Sequence, residues 1–349
     1  MTTIGEYLDS GVITKLSPEE LHRTRSWVPV FPRPKKDSQK IRLITDLRDL
    51  NTCHQVPRHR PETWKTLLQT LQQGEYAWAC TLDLHNWFHH LEMHPKMGRW
   101  MRIKVGGQAY QLMPFGWAMS PWWSQKMCKP IRAWLHTHNI RHAWYVDDVM
   151  VLGRSSQEAE ENTCKLVVML TQLGVRVNKK KSMTQAAQQV QYLGHMIDLE
   201  KNQCKPLQEK CDKNIKMIRK QISGRRFQPR NLAALAGALM DMAKSITQLH
   251  GVPQQLMQQA GAGARQNQQM YKLTSMQAIC GRTTQKSLEL QDLLQQALQA
   301  CQDPVPKFLR PSSALHLKLM TDASNKGWGA SLTQKGVEWG ACAQERTPE

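Results

Sequence analysis

The chain has 349 residues, 40% of them hydrophobic, with 12 Trp; that supports two domains with sizeable cores and excludes a disordered chain. Lys and Arg number 47 against 28 Asp and Glu, a formal charge of +19, and such a surplus points to a polyanionic partner because phosphate contacts dominate nucleic-acid affinity. The 9 Cys are scattered, odd in number and without a Cys-x-x-Cys pair, which argues against a disulfide framework or zinc ribbon and for an intracellular, reducing compartment, cytoplasm or nucleus.

Residues 1–26 form a polar lead-in with a short helix and do not resemble a signal peptide. VPVFPRPKKDSQK (28–40) is Pro-rich, and its Lys-Lys-Asp-Ser centre marks a hairpin tip between two strands. TWKTLLQTLQQ (63–73) is helical and AWACTLDL (77–84) is a strand. The segment 121–138 begins Pro-Trp-Trp and runs as a helix, with Pro130 a kink or break. AWYVDDVMVLG (143–153) reads strand, turn, strand, with Asp147 and Asp148 in the turn. Residues 157–174 are an amphipathic helix ending on Gly174, and VQYLGHMID (190–198) is a short strand pair.

Around residue 201 the character changes. Residues 205 to about 300 are helical, basic at first and then Gln-rich, with Gly261-Ala262-Gly263-Ala264 marking a loop. After DPVPKF (303–308), residues 315–343 alternate like two strands with a Gly-rich turn. No apolar run approaches the ~20 residues of a membrane span.

Three carboxylates carry the chemistry. Asp83 ends an apolar strand, and Asp147 and Asp148 tip an apolar hairpin. Acids in such settings are unfavourable unless a cation sits among them. A pair of Mg²⁺ ions fits, since they take carboxylate oxygens and substrate phosphates. Two such ions ~3.5–4 Å apart clamp the attacking and leaving oxygens of an in-line displacement.

Six segments occur in an order that resembles the reverse transcriptases of retroviruses and retrotransposons: SWVPVFPRPKKDSQKIRLITDLRDLN, TLDLHNWFHHLEM, YQLMPFGWAMSP, YVDD, LGVRVNKKKS and QYLGHMID. The resemblance covers nearly the whole chain. It implies an α/β (α+β) polymerase of right-hand shape: a lead-in (1–26), fingers and palm (27–200), a helical thumb and connection (201–305), and an incomplete ribonuclease H-like strand pair (306–349). It implies RNA-directed DNA synthesis from dNTPs on a primed RNA or DNA template, with two Mg²⁺ (or Mn²⁺) ions held by Asp83, Asp147 and, more peripherally, Asp148. No membrane partner is implied.

The same resemblance assigns further roles. Lys35 and Arg42, on the arms of the fingers hairpin, would fold over the triphosphate, Lys as a point charge and Arg as a fork. Phe88 would wall off the sugar 2′ side. Phe115 stands where retroviral enzymes often carry Gln, which leaves the fold untouched and puts fine nucleotide contacts in doubt. Gly116 permits close backbone approach. Lys181, preferred over Lys180, would stand near the leaving pyrophosphate as a general acid. Tyr192, Leu193 and Gly194 resemble the primer grip.

The pairs His85/His89 and His90/His94 have helical metal spacing, but the resemblance puts strand and turn there, so a polar surface near template or primer is expected. Trp122 and Trp123 are expected to pack helix to sheet, and Trp144 to lie under the catalytic hairpin. KLMTDASNKGWGA (318–330) resembles the first strand of a ribonuclease H-like domain, with Asp322 as its first metal-binding aspartate. The chain ends 27 residues later without a further set of carboxylates, so no ribonuclease H activity is expected, as for a truncated reading frame or a piece of a longer polyprotein. The wording there is closest to tyrosine-recombinase (DIRS-like) retrotransposons, with Ty3-like elements as the other class. The rivals are an inactive relic that only binds nucleic acid, an RNA-dependent RNA polymerase, disfavoured by Tyr-Val before the aspartates and by Phe88, and an interaction protein built on the Gln-rich helices.

Overall fold

The computed structural model describes residues 3–34, 41–58, 62–104, 107–110, 112–271, 275–310, 317–324, 327–334 and 337–345. The chain divides into two compact units, residues 1–309 and 310–349.

At the centre of the first unit is a four-stranded antiparallel sheet, in the order Met183–Ala187, Trp78–Asp83, Asp148–Gly153, His142–Tyr145. Its two middle strands are buried on both faces, so the near-continuous apolar run replaces polar alternation. The side chains still alternate: Val149 and Val151 enter one apolar cluster, Met150 and Leu152 another. The first cluster is closed by the helix Ser120–Thr137, through Cys128, Ile131 and Leu135, and by Ser156–Gln172, through Leu166 and Leu170. The second is closed by Trp64, Leu67 and Leu71 of the helix Trp64–Gln72, and by Val190, Tyr192 and Ile197. Ser155 caps the Ser156–Gln172 helix by accepting from the Glu158 backbone N–H at 3.1 Å, and Gly174 ends it at φ +76°.

A second sheet runs Gln189–Tyr192, His195–Asp198, Gln203–Pro206, Lys307–Phe308. Between its last two strands come the helices Gln208–Ile222, Pro229–Met242, Val252–Tyr271, Met276–Gly281 and Leu288–Gln302. Four of them share a separate core that includes Ile218, Leu235, Leu239, Leu256, Leu290 and Leu294. The hairpin Val30–Pro34 with Ile41–Thr45 is antiparallel, with Arg33 opposite Arg42. Lys35 lies outside the described residues, as does the Arg42 side chain.

Several expectations need correction. Of the kink or break expected at Pro130, the break does not occur: the helix Ser120–Thr137 runs continuously through that residue. Proline inside a helix costs ~3 kcal/mol, but Cys128, Ile131 and Leu135 on either side are buried and hold the helix together. No loop interrupts Val252–Tyr271 at Gly261–Ala264. A Cβ on Gly263 would stand 2.8 Å from Phe227 Cζ, so this glycine admits an aromatic ring rather than marking a turn. Trp123 is exposed; its ring meets Trp122 edge-on at 4.7 Å, and Lys126 Nζ lies 5.0 Å from the Trp122 ring centre. The helix turns Ser120, Ser124 and Cys128 inward instead.

The second unit is a three-stranded antiparallel sheet, Leu317–Ser324, Gly327–Gln334, Val337–Glu345, rather than a strand pair. The third strand, Val337–Glu345, pairs antiparallel with Gly327–Gln334, with a register shift between Leu332 and Thr333. Asp322 stands opposite Gly329, and its side chain is outside the described residues.

Candidate active site

Asp83 and Asp148 are directly opposite partners across the two central strands, so their side chains leave the same face. Tyr145 pairs with Asp148 and closes a two-residue turn on Val146 and Asp147. Val146 sits at φ +54°, an outlying conformation for a β-branched residue. Trp144, buried as expected beneath the turn, donates from Nε1 to the Val146 carbonyl at 2.9 Å, and Leu84 N–H donates to the Asp147 carbonyl at 2.8 Å. Glu62 braces the same strand: its Oε2 accepts from the Trp144 backbone N–H at 2.6 Å, and its other oxygen meets Arg132.

This placement raises the carboxyl pKa of both Asp148 and Asp147. The Asp148 carboxyl is pushed up to about 6, by burial first and then by Asp147 and Asp83, with Lys181 opposing. Burial also raises Asp147, with Asp83 adding to the shift and Lys181 again opposing it. Asp83 is held by the loop that follows the Ser156–Gln172 helix. Asn178 donates from Nδ2 to Asp83 Oδ1 at 2.8 Å and from its backbone N–H to the Asp83 carbonyl at 2.8 Å. Asp83 N–H donates to Ser182 Oγ at 3.0 Å, and Lys181 Nζ stands 3.6 Å from Asp83 Oδ2. Lys180 points to solvent.

Phe88 is almost wholly buried, while Phe115 is 44% exposed; their rings lie 4.9 Å apart. Gly116 adopts φ +94°, and a Cβ there would meet the Thr45 carbonyl at 3.3 Å. Asn51 clamps this loop, donating to the Gly116 carbonyl at 2.9 Å and accepting from Ala118 N–H at 2.8 Å. The Thr45 hydroxyl donates to the Phe115 carbonyl at 3.0 Å. Tyr192 is buried, and its hydroxyl donates to the Asp148 carbonyl at 3.4 Å. Leu193 at φ +49° and Gly194 at φ +75° form the tight turn after it.

The histidine stretch is a short 3-10 turn, Trp87–His90. His85 and His94 are exposed, but His89 and His90 are packed into the fold rather than forming polar surface. His89 lies 5.1 Å from Phe115 and 5.3 Å from Tyr7, and burial pulls it down to about 4. His90 Nε2 accepts from Arg176 N–H at 3.0 Å, and Nδ1 lies 3.1 Å from the Trp87 carbonyl.

Asn51, Thr45, Asn178 and Ser182 had not been singled out. Asn51 and Asn178 stand inside the quoted motifs, but their clamping partners are 65 and 95 residues away in the chain, so only the fold reveals them. Among the described residues, no group of three or more His, Cys, Asp and Glu side chains is arranged so that the protein alone could hold a metal ion. A site that shares its cations with substrate phosphates needs only one or two carboxylates per ion. Three acids gathered at strand ends, two of them with raised pKa, form a hard, electron-rich donor set that suits such cations.

Residues 33–197 match the family model described as reverse transcriptase (RNA-dependent DNA polymerase). The Gag-Pol polyprotein of Gibbon ape leukemia virus is 28% identical over 206 residues, covering 56% of this chain and 12% of the viral polyprotein. Protein P of Duck hepatitis B virus is 22% identical over 169 residues, covering 47% of this chain and 20% of that protein. The aligned region is thus a small part of the curated relatives it matches. Among solved structures, the foamy viral protease-reverse transcriptase in complex with double-stranded DNA superposes with a TM-score of 0.66 at 18% identity, over 99% of this chain and 65% of that one. The same viral protein in complex with an RNA/DNA hybrid gives 0.63, over 42% of its chain. The fold is that of a polymerase of this type.

Proposed function

We propose that this chain, whose residues 33–197 carry a reverse transcriptase domain of the retroviral and retroelement type, is the RNA-directed DNA polymerase of a mobile element. The observation that carries the proposal is the gathering of Asp83, Asp147 and Asp148 at one end of the two central strands, with Lys181 3.6 Å from Asp83. Asp83 and Asp147 would hold two Mg²⁺ ions, with Asp148 at the periphery. When bound, these cations would neutralise the triphosphate and lower the barrier to displacement at its α-phosphorus.

The chain's own groups supply position and protons. Asn178 fixes one Asp83 oxygen and leaves the other toward the site. The strained Val146 aims Asp147. Lys181, 3.6 Å from Asp83 and exposed, would give a proton or a positive charge to the departing pyrophosphate. Phe88 and Phe115 form an aromatic wall for the sugar, Gly116 lets the backbone approach the nucleotide, and Lys35 and Arg42 would close from the fingers hairpin. Tyr192, Leu193 and Gly194 would orient the primer end.

The partners would be a primed RNA or DNA template and dNTPs, consistent with the net charge of +19. No helix among the described residues is long and apolar enough to cross a membrane. The described cysteines are free thiols, which supports a reducing, intracellular setting. The wording around Asp322 favours a DIRS-like or Ty3-like retrotransposon with a ribonuclease H-like segment. Primer extension on poly(rA)/oligo(dT) with dTTP and Mg²⁺ tests the proposal, wild type beside Asp147→Asn. Extension by the wild type alone supports it. A folded protein that binds the duplex and extends nothing is instead a relic that holds nucleic acid.

A further inference from the structure

The turn at Leu193–Gly194 is gripped from the helical region by a charged cluster that the proposed chemistry does not use. Lys210, on the helix Gln208–Ile222, donates from Nζ to the Leu193 carbonyl at 3.3 Å and to Asp241 Oδ2 at 2.5 Å. Asp241, at the end of the helix Pro229–Met242, also accepts from Lys244 Nζ at 2.6 Å. His195, the residue after the turn, is wholly buried, with Nε2 3.7 Å from Asp241 Oδ1. Its Nδ1 lies 2.8 Å from Ser245 Oγ, and its ring lies 4.8 Å from that of Trp64. The cluster therefore joins two helices of the helical region, the hairpin and a helix of the central domain.

Two features set it apart from a solvated ion pair, which contributes little. Gly194 suits this place in two ways. Its φ of +75° disfavours a side chain, and a Cβ would stand 2.4 Å from Lys210 Cε and Nζ. The glycine is thus the space into which the lysine fits. The other feature is continuity with the catalytic pair: Tyr192, one residue before the turn, donates its hydroxyl to the Asp148 carbonyl at 3.4 Å. One end of this short segment touches the catalytic turn, and the other is held by Lys210 and Asp241.

We propose that Lys210 and Asp241 are positioning residues that fix the Leu193–Gly194 turn, and through it the primer 3′ end, relative to Asp147 and Asp148. The inference rests on the polymerase reading above. It assigns the helical region a part in setting reaction geometry, apart from gripping the duplex.

The test uses the full chain as wild type, Lys210→Met, Asp241→Asn, Lys210→Arg and Gly194→Ala. Each is given a primer–template carrying 2-aminopurine at the primer 3′ end. Three quantities are read: duplex affinity by anisotropy, fluorescence of the terminal base, and the maximal rate of adding one nucleotide. Lys210→Met, Asp241→Asn and Gly194→Ala should lower that rate by roughly ten- to a hundredfold, the scale expected when a reacting group is misplaced by ~1 Å. Their duplex affinity should be nearly unchanged, their terminal base should brighten as its hold loosens, and Lys210→Arg should keep most of the rate. A purely structural role would instead lower affinity, rate and melting temperature together and leave the terminal base unaltered in the bound fraction; that result overturns the proposal, as does a wild-type rate in Lys210→Met. A wild type that extends nothing would sink the polymerase reading, while the fluorescence comparison would still decide whether Lys210 and Asp241 hold the primer end.

Discussion

Asn178 donates its side-chain amide to Asp83 Oδ1 at 2.8 Å, while its own backbone N–H donates to the Asp83 carbonyl at 2.8 Å. One residue therefore fixes both the strand end and the carboxylate that leaves it. Hydrogen bonds to charged groups contribute about 1.5–3 kcal/mol. If that energy serves to orient Asp83, Asn178→Ala should slow single-nucleotide addition by about tenfold or more. It should also raise the Mg²⁺ concentration needed for half-maximal rate, with only a small change in melting temperature. Rate against Mg²⁺ concentration is the measurement. An Asn178→Ala enzyme with an unaltered Mg²⁺ curve would show that the amide merely ties down the loop.

Asp148 offers a test without substrate. Its carboxyl is pushed up to about 6, by burial first and then by Asp147 and Asp83. A carboxyl whose folded pKa lies above its unfolded value of ~4 binds its proton more tightly in the folded state. Its stabilising effect is complete below ~4 and is lost as pH rises through about 6. Asparagine is neutral throughout. In EDTA, Asp148→Asn should therefore be more stable than the wild type at pH 7, and the gap should narrow as pH falls toward 5. Urea unfolding at several pH values reads this directly, and a gap independent of pH would refute the raised carboxyl that burial first, and then Asp147 and Asp83, give Asp148.

Much of this was legible in the sequence, for local reasons. The apolar, β-branched runs around Asp83 and Asp147–Asp148 favour buried strands, and the Gly174 stop and the 201 boundary rest on chain-local signals. What stayed hidden depends on distant partners. Gly263 resembled a loop signal because the sequence does not show that Phe227 packs against it. Pro130 resembled a break because the burial around it is tertiary. His89 resembled a polar surface residue, yet Phe115 and Tyr7 enclose it. The candidate site residues that the motifs suggest are those with chemistry of their own. Those that position them, Asn51, Asn178 and Lys210, have ordinary side chains whose roles appear only once the chain is folded.

Gly116 connects the aromatic wall to the strand that ends at Thr45. At φ +94°, with the Thr45 carbonyl 3.3 Å from any Cβ, alanine would be strained and would push on the backbone. Gly116→Ala should cost about 1–3 kcal/mol and should raise the KM for dNTP more than it lowers duplex affinity, because the Phe115 loop moves and the Leu193–Gly194 turn does not. Thermal unfolding together with a dNTP titration separates the two effects. Equal losses in dNTP and duplex binding would mean that the whole domain had loosened.

Val146 puts strain and packing in direct opposition. Its φ of +54° costs a β-branched residue about 1–3 kcal/mol. Glycine would remove that strain, but it would add about 0.5–1 kcal/mol of chain entropy to be lost on folding. It would also forfeit the partial burial of three side-chain carbons against the main core, each fully buried carbon being worth ~0.8 kcal/mol at most. These terms nearly cancel, so Val146→Gly should leave stability within about 1 kcal/mol of wild type. Activity should not be spared. A glycine turn no longer holds Asp147 in one direction, and misaiming a reacting group costs up to about a hundredfold. The expected enzyme is folded, binds duplex normally and extends primers slowly. If Val146→Gly instead unfolds readily, packing rather than strain governs the turn, and the strained valine has no part in aiming Asp147.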